Sequence, residues 1–274
     1  MTRAFRALAT ALVLLVVATA CTSPSAEPRE DRPTSASPSP TGTAPPDPGP
    51  RPRSGQCHDL TFRQAVALVG RTAAVPCRRP HTAQTYYVGR LDLETESGHT
   101  RRADSRAAQR QARSACTARL PRHLGLTPRE LRLSMARPVW FTPSPARADA
   151  GADWFRCDVV VVAAPRTLLR LPGRTRGWGA TPAIAMCATA APGTPSFRRV
   201  TCGSRHSWRA ATSVDIPGRR LPAQPAIAAR MESPCRDTAR AQADDPLEFT
   251  WAEESPTREQ WAAGQRYGIC WVPA

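Results

Sequence analysis

The chain contains the stretch Val75-Pro76-Cys77-Arg78-Arg79-Pro80-His81, and its frame returns as Val200-Thr201-Cys202-Gly203-Ser204-Arg205-His206. In both stretches an apolar residue stands two positions before a cysteine, and a histidine follows four positions after that cysteine. An internal repeat of this kind indicates that one structural unit has been copied along the chain. The repeat therefore guides the interpretation of the other cysteines and of the secondary structure.

Eight of the nine cysteines fall into two sets of four with similar spacing. The intervals are 20, 39 and 41 residues in the first set and 15, 33 and 35 residues in the second. The spacing leaves several pairings within each set open. A helix cysteine can reach the last strand on which the helix packs, so we prefer first with second and third with fourth. The predicted disulfides are Cys57–Cys77, Cys116–Cys157, Cys187–Cys202 and Cys235–Cys270.

Both repeats predict the same order of secondary structure, β-β-α-β-β. Apolar residues recur at helical intervals around the third cysteine of each set, and short β-favouring runs flank that helix. The fold class is therefore α+β, with two tandem disulfide-stapled modules that each pack a helix on a small antiparallel sheet. The predicted elements are 73–76, 85–93, 102–120, 131–141 and 155–162 in the first module, and 197–201, 210–216, 225–243, 247–251 and 268–272 in the second.

The N-terminus has the form of a secretory signal peptide over residues 1–20. Arg3 and Arg6 precede an uncharged run of 14 residues, which is shorter than the roughly 20 residues of a membrane span. Small residues then lead to Cys21, as in a bacterial lipobox, although ordinary cleavage and secretion is the alternative. Lipidation of Cys21 also leaves an even number of cysteines for pairing, so we predict a palmitate-type lipid anchor there.

The remaining chain divides by composition. Residues 21–54 hold ten prolines among small polar residues and cannot bury a core, so we predict a disordered linker of up to about 100 Å. The predicted organisation is module 1 at 55–164, a connector at 165–182 and module 2 at 183–274. An exported chain of this kind is expected on the outer, extracytoplasmic face of the cell membrane, held by its lipid anchor.

The charge is strongly positive and is carried by arginine alone. All 38 basic residues are Arg, and removing residues 1–20 lowers the formal charge from +16 to +14. Such a chain is attracted to anionic surfaces, so an anionic wall polymer or an envelope protein is the expected partner besides the membrane. No recognition motif accompanies the charge, so no nucleic-acid partner is expected.

The quoted motifs also resemble a known family. The frame Gly55-x-Cys57-x-x-Leu60, the stretch ending in His81, a helix cysteine and a closing Cys-x-Val resemble the septum formation domain family. The second copy departs from the pattern at Arg205, where the family has proline. The resemblance implies a disulfide-bonded domain of actinobacterial envelope lipoproteins, here in two tandem copies, with no established enzymatic activity, catalytic residue or cofactor.

Other candidate sites are less specific. Each Cys-x-x-x-His pair supplies half of a zinc site, but bridged cysteines are not available to a metal, so no metal is expected. Asp92, Glu94 and Glu96 alternate as paired carboxylates of a glycan hydrolase do, although such a run is also typical of a solvated loop. The candidate binding residues beside the repeated motif are His81, His206, Arg78, Arg79 and Trp208.

These observations favour a non-catalytic envelope lipoprotein that acts as an extracytoplasmic binding or scaffold module, linked to septum or wall processes. The first alternative is a wall-acting hydrolase, which requires a cleft with perturbed carboxylates. The second is a metal-binding envelope protein that uses Cys and His, which requires free thiols.

Overall fold

The structure is a computed structural model that describes residues 47–274. The predicted signal peptide, Cys21 and most of the predicted linker lie outside the described residues. None of the helices found between residues 47 and 274 has the length and apolar character that a membrane crossing requires.

The described chain alternates short strands with two long and four short helices. The strands are β1 (Cys57–His58), β2 (Ala83–Arg90), β3 (Ala136–Phe141), β4 (Trp154–Ala164), β5 (Thr167–Leu168), β6 (Met186–Ala188), β7 (Arg199–Thr201), β8 (Trp208–Asp215), β9 (Ala252–Glu254) and β10 (Tyr267–Pro273). The helices are α1 (Phe62–Ala65), α2 (Arg106–Leu124), α3 (Pro128–Arg132), α4 (Pro145–Asp149), α5 (Gln224–Gln242) and α6 (Arg258–Ala262).

The strands form two antiparallel sheets, one from each half of the chain. The first has the order β1-β2-β4-β3, with β5 paired to β4, and the second has the order β7-β6-β8-β10-β9. Helix α2 packs on β2, β3 and β4, and helix α5 packs on β8, β9 and β10. Each half thus packs one long helix on an antiparallel sheet, within a mixed helix and antiparallel-sheet fold.

Each long helix buries a stripe of residues spaced four apart. In α2 the buried positions include Ala108, Ala112 and Cys116, and in α5 they include Met231 and Cys235. A spacing of four keeps side chains on one face of a helix, so each stripe points at the sheet. The helix cysteine therefore faces the last strand of its own half.

The four predicted disulfides are confirmed. Their Cα–Cα distances lie between 4.9 and 5.3 Å, within the usual range for disulfide-bonded cysteines. Two of them join a long helix to the closing strand of its half, and the other two close the loops that carry the repeated motif. The bonded pairs are Cys57–Cys77, Cys116–Cys157, Cys187–Cys202 and Cys235–Cys270.

The two halves share a hydrophobic core. The largest cluster of buried residues combines Met135 and Val161 of the first half with Ile184, Met186 and Trp271 of the second. Backbone hydrogen bonds reinforce this junction, since the Met135 amide donates to the Ile184 carbonyl at 2.6 Å. Residues 47–274 accordingly form one compact unit, although a smaller buried cluster under α5, which includes Ile227, Met231 and Cys235, belongs to the second half alone.

The predicted connector, residues 165–182, packs against the first sheet. The Leu171 amide donates to the His81 carbonyl at 2.8 Å, and the Thr175 amide donates to the Gln84 side chain at 2.8 Å. Leu171 and Thr175 are both buried. The connector is therefore part of the folded unit rather than a flexible joint.

Three predicted strands differ in the structure. The strand predicted at 73–76 contributes a single bridge from Val75 to Cys57, because the disulfide at Cys57 holds this loop beside β1. The strand predicted at 131–141 begins only at Ala136. A capping box between Thr127 and Glu130 starts helix α3 before it.

The third difference is at 247–251, where the predicted strand instead forms β9 at Ala252–Glu254. Leu247 is 91% exposed, so its side chain does not pack against a sheet. Two further short helices lie outside the predicted elements, since Ser144 and Thr257 act as N-caps for α4 and α6.

Candidate functional site

A cleft of about 930 Å³ lies where β4 begins, beside β1 and helix α4. Among the described residues, four arginines line it and no carboxylate does. We call it the arginine cleft, after Arg51, Arg71, Arg147 and Arg156. Its other walls come from the segment that leads into β1, the loop before Cys77, the start of α4 and β4, contributing Pro50, Pro52, Gln56, His58, Val69, Gly70, Thr72, Ala73, Ala74, Ser144, Pro145, Ala146 and Trp154.

The loop on one side of the cleft is fixed at both ends. At its C-terminal end the Val75 amide donates to the Cys57 carbonyl at 2.7 Å, next to the Cys57–Cys77 disulfide. At its N-terminal end the Thr142 amide donates to the Leu68 carbonyl at 3.1 Å. The intervening residues are thus held across the mouth of the cleft by covalent and hydrogen bonds.

Gly70 lets this loop pass close to a buried guanidinium. A Cβ at Gly70 would lie 3.1 Å from Phe141 Cβ and 3.2 Å from Arg156 Nη2. The Arg156 guanidinium in turn stacks over the Phe141 ring, with Cζ 4.6 Å from the ring centroid. Because position 70 has no side chain, the backbone can lie close to the Arg156 guanidinium.

The opposite wall is the start of helix α4. Ser144 caps this helix by accepting a hydrogen bond from the Arg147 amide at 3.4 Å, and Pro145 occupies its first turn. The cap and the proline set the direction of the helix. They place the half-buried Arg147 on the cleft.

A chain of buried polar groups lies at and beneath the floor of the cleft. Arg156 Nε lies 3.2 Å from Asp158 Oδ2, and the Thr85 hydroxyl donates to Asp158 Oδ1 at 2.7 Å. His58 Nε2 lies 3.3 Å from the same hydroxyl, and His58 Nδ1 lies 3.3 Å from the Ala73 carbonyl. The floor therefore connects β1, β2 and β4 through side-chain contacts.

Burial controls the charge of this floor. Burial lowers the pKa of His58 below its ordinary value, against a smaller opposing effect of Asp158, so the imidazole is neutral at pH 7. Burial also lowers the pKa of Arg156, and Asp158 opposes that effect. A guanidinium stays protonated in proteins, so Arg156 is a cation at the floor and the Asp158 carboxylate lies buried beneath it.

Several donors at the floor have no hydrogen-bond partner among the described residues. They are Trp154 Nε1, Arg156 Nε and Arg156 Nη2. The 3.2 Å contact of Arg156 with Asp158 is close enough for an ion pair but is not aligned as a hydrogen bond. Buried donors are normally paired, so these donors lack a polar partner that the described residues do not supply.

The histidines of the repeated motif have the same contact in both halves. His81 Nδ1 lies 2.8 Å from the Arg79 carbonyl, and His206 Nδ1 lies 2.7 Å from the Ser204 carbonyl. His81 is fully buried, and its Nε2 lies 3.3 Å from the Gly173 carbonyl of the connector. His81 therefore stabilises a turn and the connector instead of presenting a binding surface.

The other candidate binding residues are not brought together with the cleft. Arg78 and Arg79 are exposed, and Trp208 is half-buried against the shared core. Over residues 47–274 the structure contains no cluster of three His, Cys, Asp or Glu side chains that could hold a metal ion.

The candidate hydrolase carboxylates lie in a separate surface depression. Asp92, Glu94 and Glu96 are all exposed, and the first two line a hollow together with Asp153. Glu94 forms a bridge with Thr100, so these residues belong to a hairpin that reaches into solvent. All three side chains are therefore solvated, as in the surface loop named as the alternative to paired carboxylates.

The residues of the arginine cleft were missed by reasoning from the sequence. The available signal was Arg156 and Asp158 on either side of Cys157, two charged residues within an otherwise apolar run from Phe155 to Val161. Charged side chains in such a strand are buried together with it, unless one face of the strand is exposed to solvent.

Comparison with known proteins gives one match. A family model described as septum formation matches residues 54–270. No curated protein and no solved structure matches the chain significantly. The matched region covers most of the chain, with the first sheet, nearly all of the second and all four disulfides, so the chain belongs to the septum formation family.

Proposed function

We propose that this chain is a non-catalytic binding component of the cell envelope that acts in septum or wall processes. Membership of the septum formation family supports the septal assignment. Four disulfides in the described residues support an oxidising, extracytoplasmic location, because such bonds persist outside the reducing cytosol. The lipobox-like sequence before Cys21 supports attachment to the outer face of the membrane by a lipid.

The arginine cleft is the observation that carries the binding function. It combines four arginines with buried donors that have no partner among the described residues. A concave site with a few convergent polar groups is the usual form of a ligand-binding site. Its side chains supply positive charge and hydrogen-bond donors, which hold a ligand without changing its covalent bonds.

The position of the cleft relative to the linker fits a tethered receptor. Pro50, Arg51 and Pro52, close to the end of the Pro-rich segment, line the cleft. A segment of about 30 residues in an extended polyproline conformation spans roughly 100 Å. A lipid at Cys21 would then let the cleft reach wall material at that distance from the membrane.

The test is replacement of the gene by a cleft variant, Arg71→Gln/Arg147→Gln, with Arg219→Gln/Arg220→Gln as the charge-matched control. Both variants lose two positive charges, but Arg219 and Arg220 are exposed and lie outside the cleft. We expect both proteins to be exported at wild-type levels. Only the control should restore septal localisation and normal septa to a deletion strain.

Full restoration by the cleft variant would contradict the proposal. The second measurement is the location of a Cys21→Ser variant. Because this variant lacks the cysteine that carries the proposed lipid, we expect it in the medium instead of the membrane fraction. The purified chain is further expected to release no soluble fragments from isolated cell walls, and their release would support a hydrolase instead.

A further inference from the structure

We propose that the arginine cleft binds the phosphate group of a phosphodiester carried on a larger organic molecule. This inference rests on the proposed binding function and specifies its ligand. It depends on three features of the cleft: unbalanced charge, the direction of its donors and its size.

The charge of the cleft is only partly compensated. Arg51 lies 3.6 Å from Asp153 and donates to the Gly89 carbonyl, and Arg156 is paired with Asp158. Arg71 and Arg147 have no acidic partner within 4.0 Å among the described residues. Two cations therefore remain available at the mouth of the cleft. An anion entering it gains attraction from both.

The donors come from different segments and approach from different directions. Arg71 lies on the loop before Cys77, Arg147 on helix α4, and Trp154 and Arg156 on β4. A carboxylate has two coplanar oxygens, which one guanidinium fork can satisfy. A phosphate group has oxygens in a tetrahedral arrangement and matches donors from several sides. Arginine is a preferred residue for such contacts.

The deepest donors favour a ligand that reaches past the two cations at the mouth. Trp154 is 4% exposed and the Arg156 side chain is 6% exposed, and the structure gives neither Trp154 Nε1 nor Arg156 Nη2 a partner within residues 47–274. The backbone above Arg156 carries no side chain at Gly70. Both donor atoms are fully buried, so a phosphate oxygen would reach them only if the loop at Gly70 moved aside, and it would then satisfy donors that otherwise lack hydrogen bonds.

The size of the cleft indicates more than a free phosphate ion. Its volume of about 930 Å³ is in the upper part of the range for drug-sized ligands. Pro50, Pro52, Val69 and Pro145 add apolar wall surface beside the arginines. These apolar side chains can contact the carbon skeleton that joins one phosphodiester to the next or to a lipid.

Two envelope sources share this chemistry: a poly(glycerol phosphate) polymer and a glycerophospholipid headgroup. The test uses the full chain, exported and purified in a mild neutral detergent. Calorimetric titration would compare a poly(glycerol phosphate) oligomer, phosphatidylglycerol in neutral-lipid vesicles, a polyglutamate of equal charge and the neutral glycan chitotetraose. Binding of the oligomer alone identifies the polymer as the source, and binding to the vesicles identifies the lipid.

Variants locate the binding within the protein. Arg71→Gln/Arg147→Gln should weaken binding of the phosphodiester probe at least about tenfold, because two charge-assisted contacts are lost. Arg219→Gln/Arg220→Gln should change it less than about twofold, since a distant exposed charge adds little. Trp154→Phe keeps the aromatic ring and removes one donor, so it should weaken binding by about tenfold.

The outcomes separate this inference from the proposed function. Equal weakening by both arginine pairs, or equal affinity for polyglutamate, would overturn the phosphate site. Binding of chitotetraose that the cleft variant abolishes would overturn the ligand class and keep the cleft as a binding site. Failure of all probes, combined with full restoration of septa by the cleft variant, would overturn both proposals.

Discussion

At the residue scale, the most consequential contact is the ion pair between Arg156 and Asp158 on β4. Their side chains are 6% and 0% exposed, so neither charge is solvated by water. Thr85 adds a hydrogen bond to Asp158, which helps to offset the cost of burying the carboxylate. The pair therefore stabilises the floor of the arginine cleft only while both partners are present.

Replacing both partners should lower the free energy of unfolding by less than the sum of the two single replacements. Arg156→Met leaves a buried carboxylate unpaired and should lower the free energy of unfolding by about 3–5 kcal/mol. The double variant Arg156→Met/Asp158→Asn should lose less than the sum of its single variants. Urea unfolding followed by circular dichroism measures the stability of the double variant and of the single variants Arg156→Met and Asp158→Asn. Additive losses would contradict a coupled pair.

A second prediction at this scale concerns pH. Burial, together with the positive charge of Arg176, lowers the pKa of His123 to about 4 from the value of 6.5 expected for an unfolded chain. Between pH 6.5 and pH 4 the unfolded chain therefore binds more protons than the folded one, and stability decreases as pH falls through this window. His58 contributes in the same direction.

The measurement is the urea midpoint at pH 7 and at pH 5. The wild-type midpoint should be lower at pH 5, and His123→Gln should reduce that difference. His99 is exposed in the hairpin, so His99→Gln serves as the matched control and should leave the difference unchanged. A pH dependence that persists fully in His123→Gln would contradict the assignment.

At the scale of secondary-structure elements, the disulfides that join a long helix to a strand matter most. Cys116–Cys157 connects α2 to β4 across 41 residues, whereas Cys187–Cys202 closes a loop of 15 residues. Each bond restricts the unfolded chain, and the restriction grows with the length of the closed loop. Cys116 and Cys157 are also fully buried.

Replacing either pair by alanine should therefore have graded effects. By chain entropy we expect a loss of about 4 kcal/mol for Cys116→Ala/Cys157→Ala and about 3 kcal/mol for Cys187→Ala/Cys202→Ala. Chemical unfolding of the two variants under non-reducing conditions measures both losses. A larger loss for the short loop would show that loop length does not determine the ranking.

At the scale of the whole molecule, the shared core makes the two repeats depend on each other. Ile184 is fully buried and accepts a hydrogen bond from the Met135 amide of the first half. The connector adds further contacts, because Thr175 bonds Gln84 of the first sheet. Residues 47–274 should therefore unfold in one cooperative transition.

Ile184→Ala tests this dependence. It should lower the free energy of unfolding by about 2–5 kcal/mol and destabilise both sheets together. Hydrogen exchange measured by mass spectrometry reports each half separately, and Leu247→Ala, at a residue 91% exposed, is the control. Loss of protection in the second half alone would indicate two independent modules.

Features that local sequence patterns encode could be predicted, whereas features that depend on long-range packing could not. Cysteine spacing, the repeated motif and the helical stripes are local patterns, and they predicted the four disulfides and the positions of α2, α5, β4 and β10. Strand limits were less predictable. Capping boxes started two short helices: α3 at Thr127, which overlaps a predicted strand, and α6 at Thr257, where no element was predicted.

The sequence by itself determined the repeat, the disulfide framework and the membership of the septum formation family. Only the tertiary structure decided that the two repeats share a core and that Arg71, Arg147 and Arg156 line one cleft. Those arginines lie on three segments, and all basic residues of this chain are arginine, so only Arg156, which interrupts an apolar run, stands out in the sequence. Burial and the packing of distant segments, which local patterns do not encode, give them their common site.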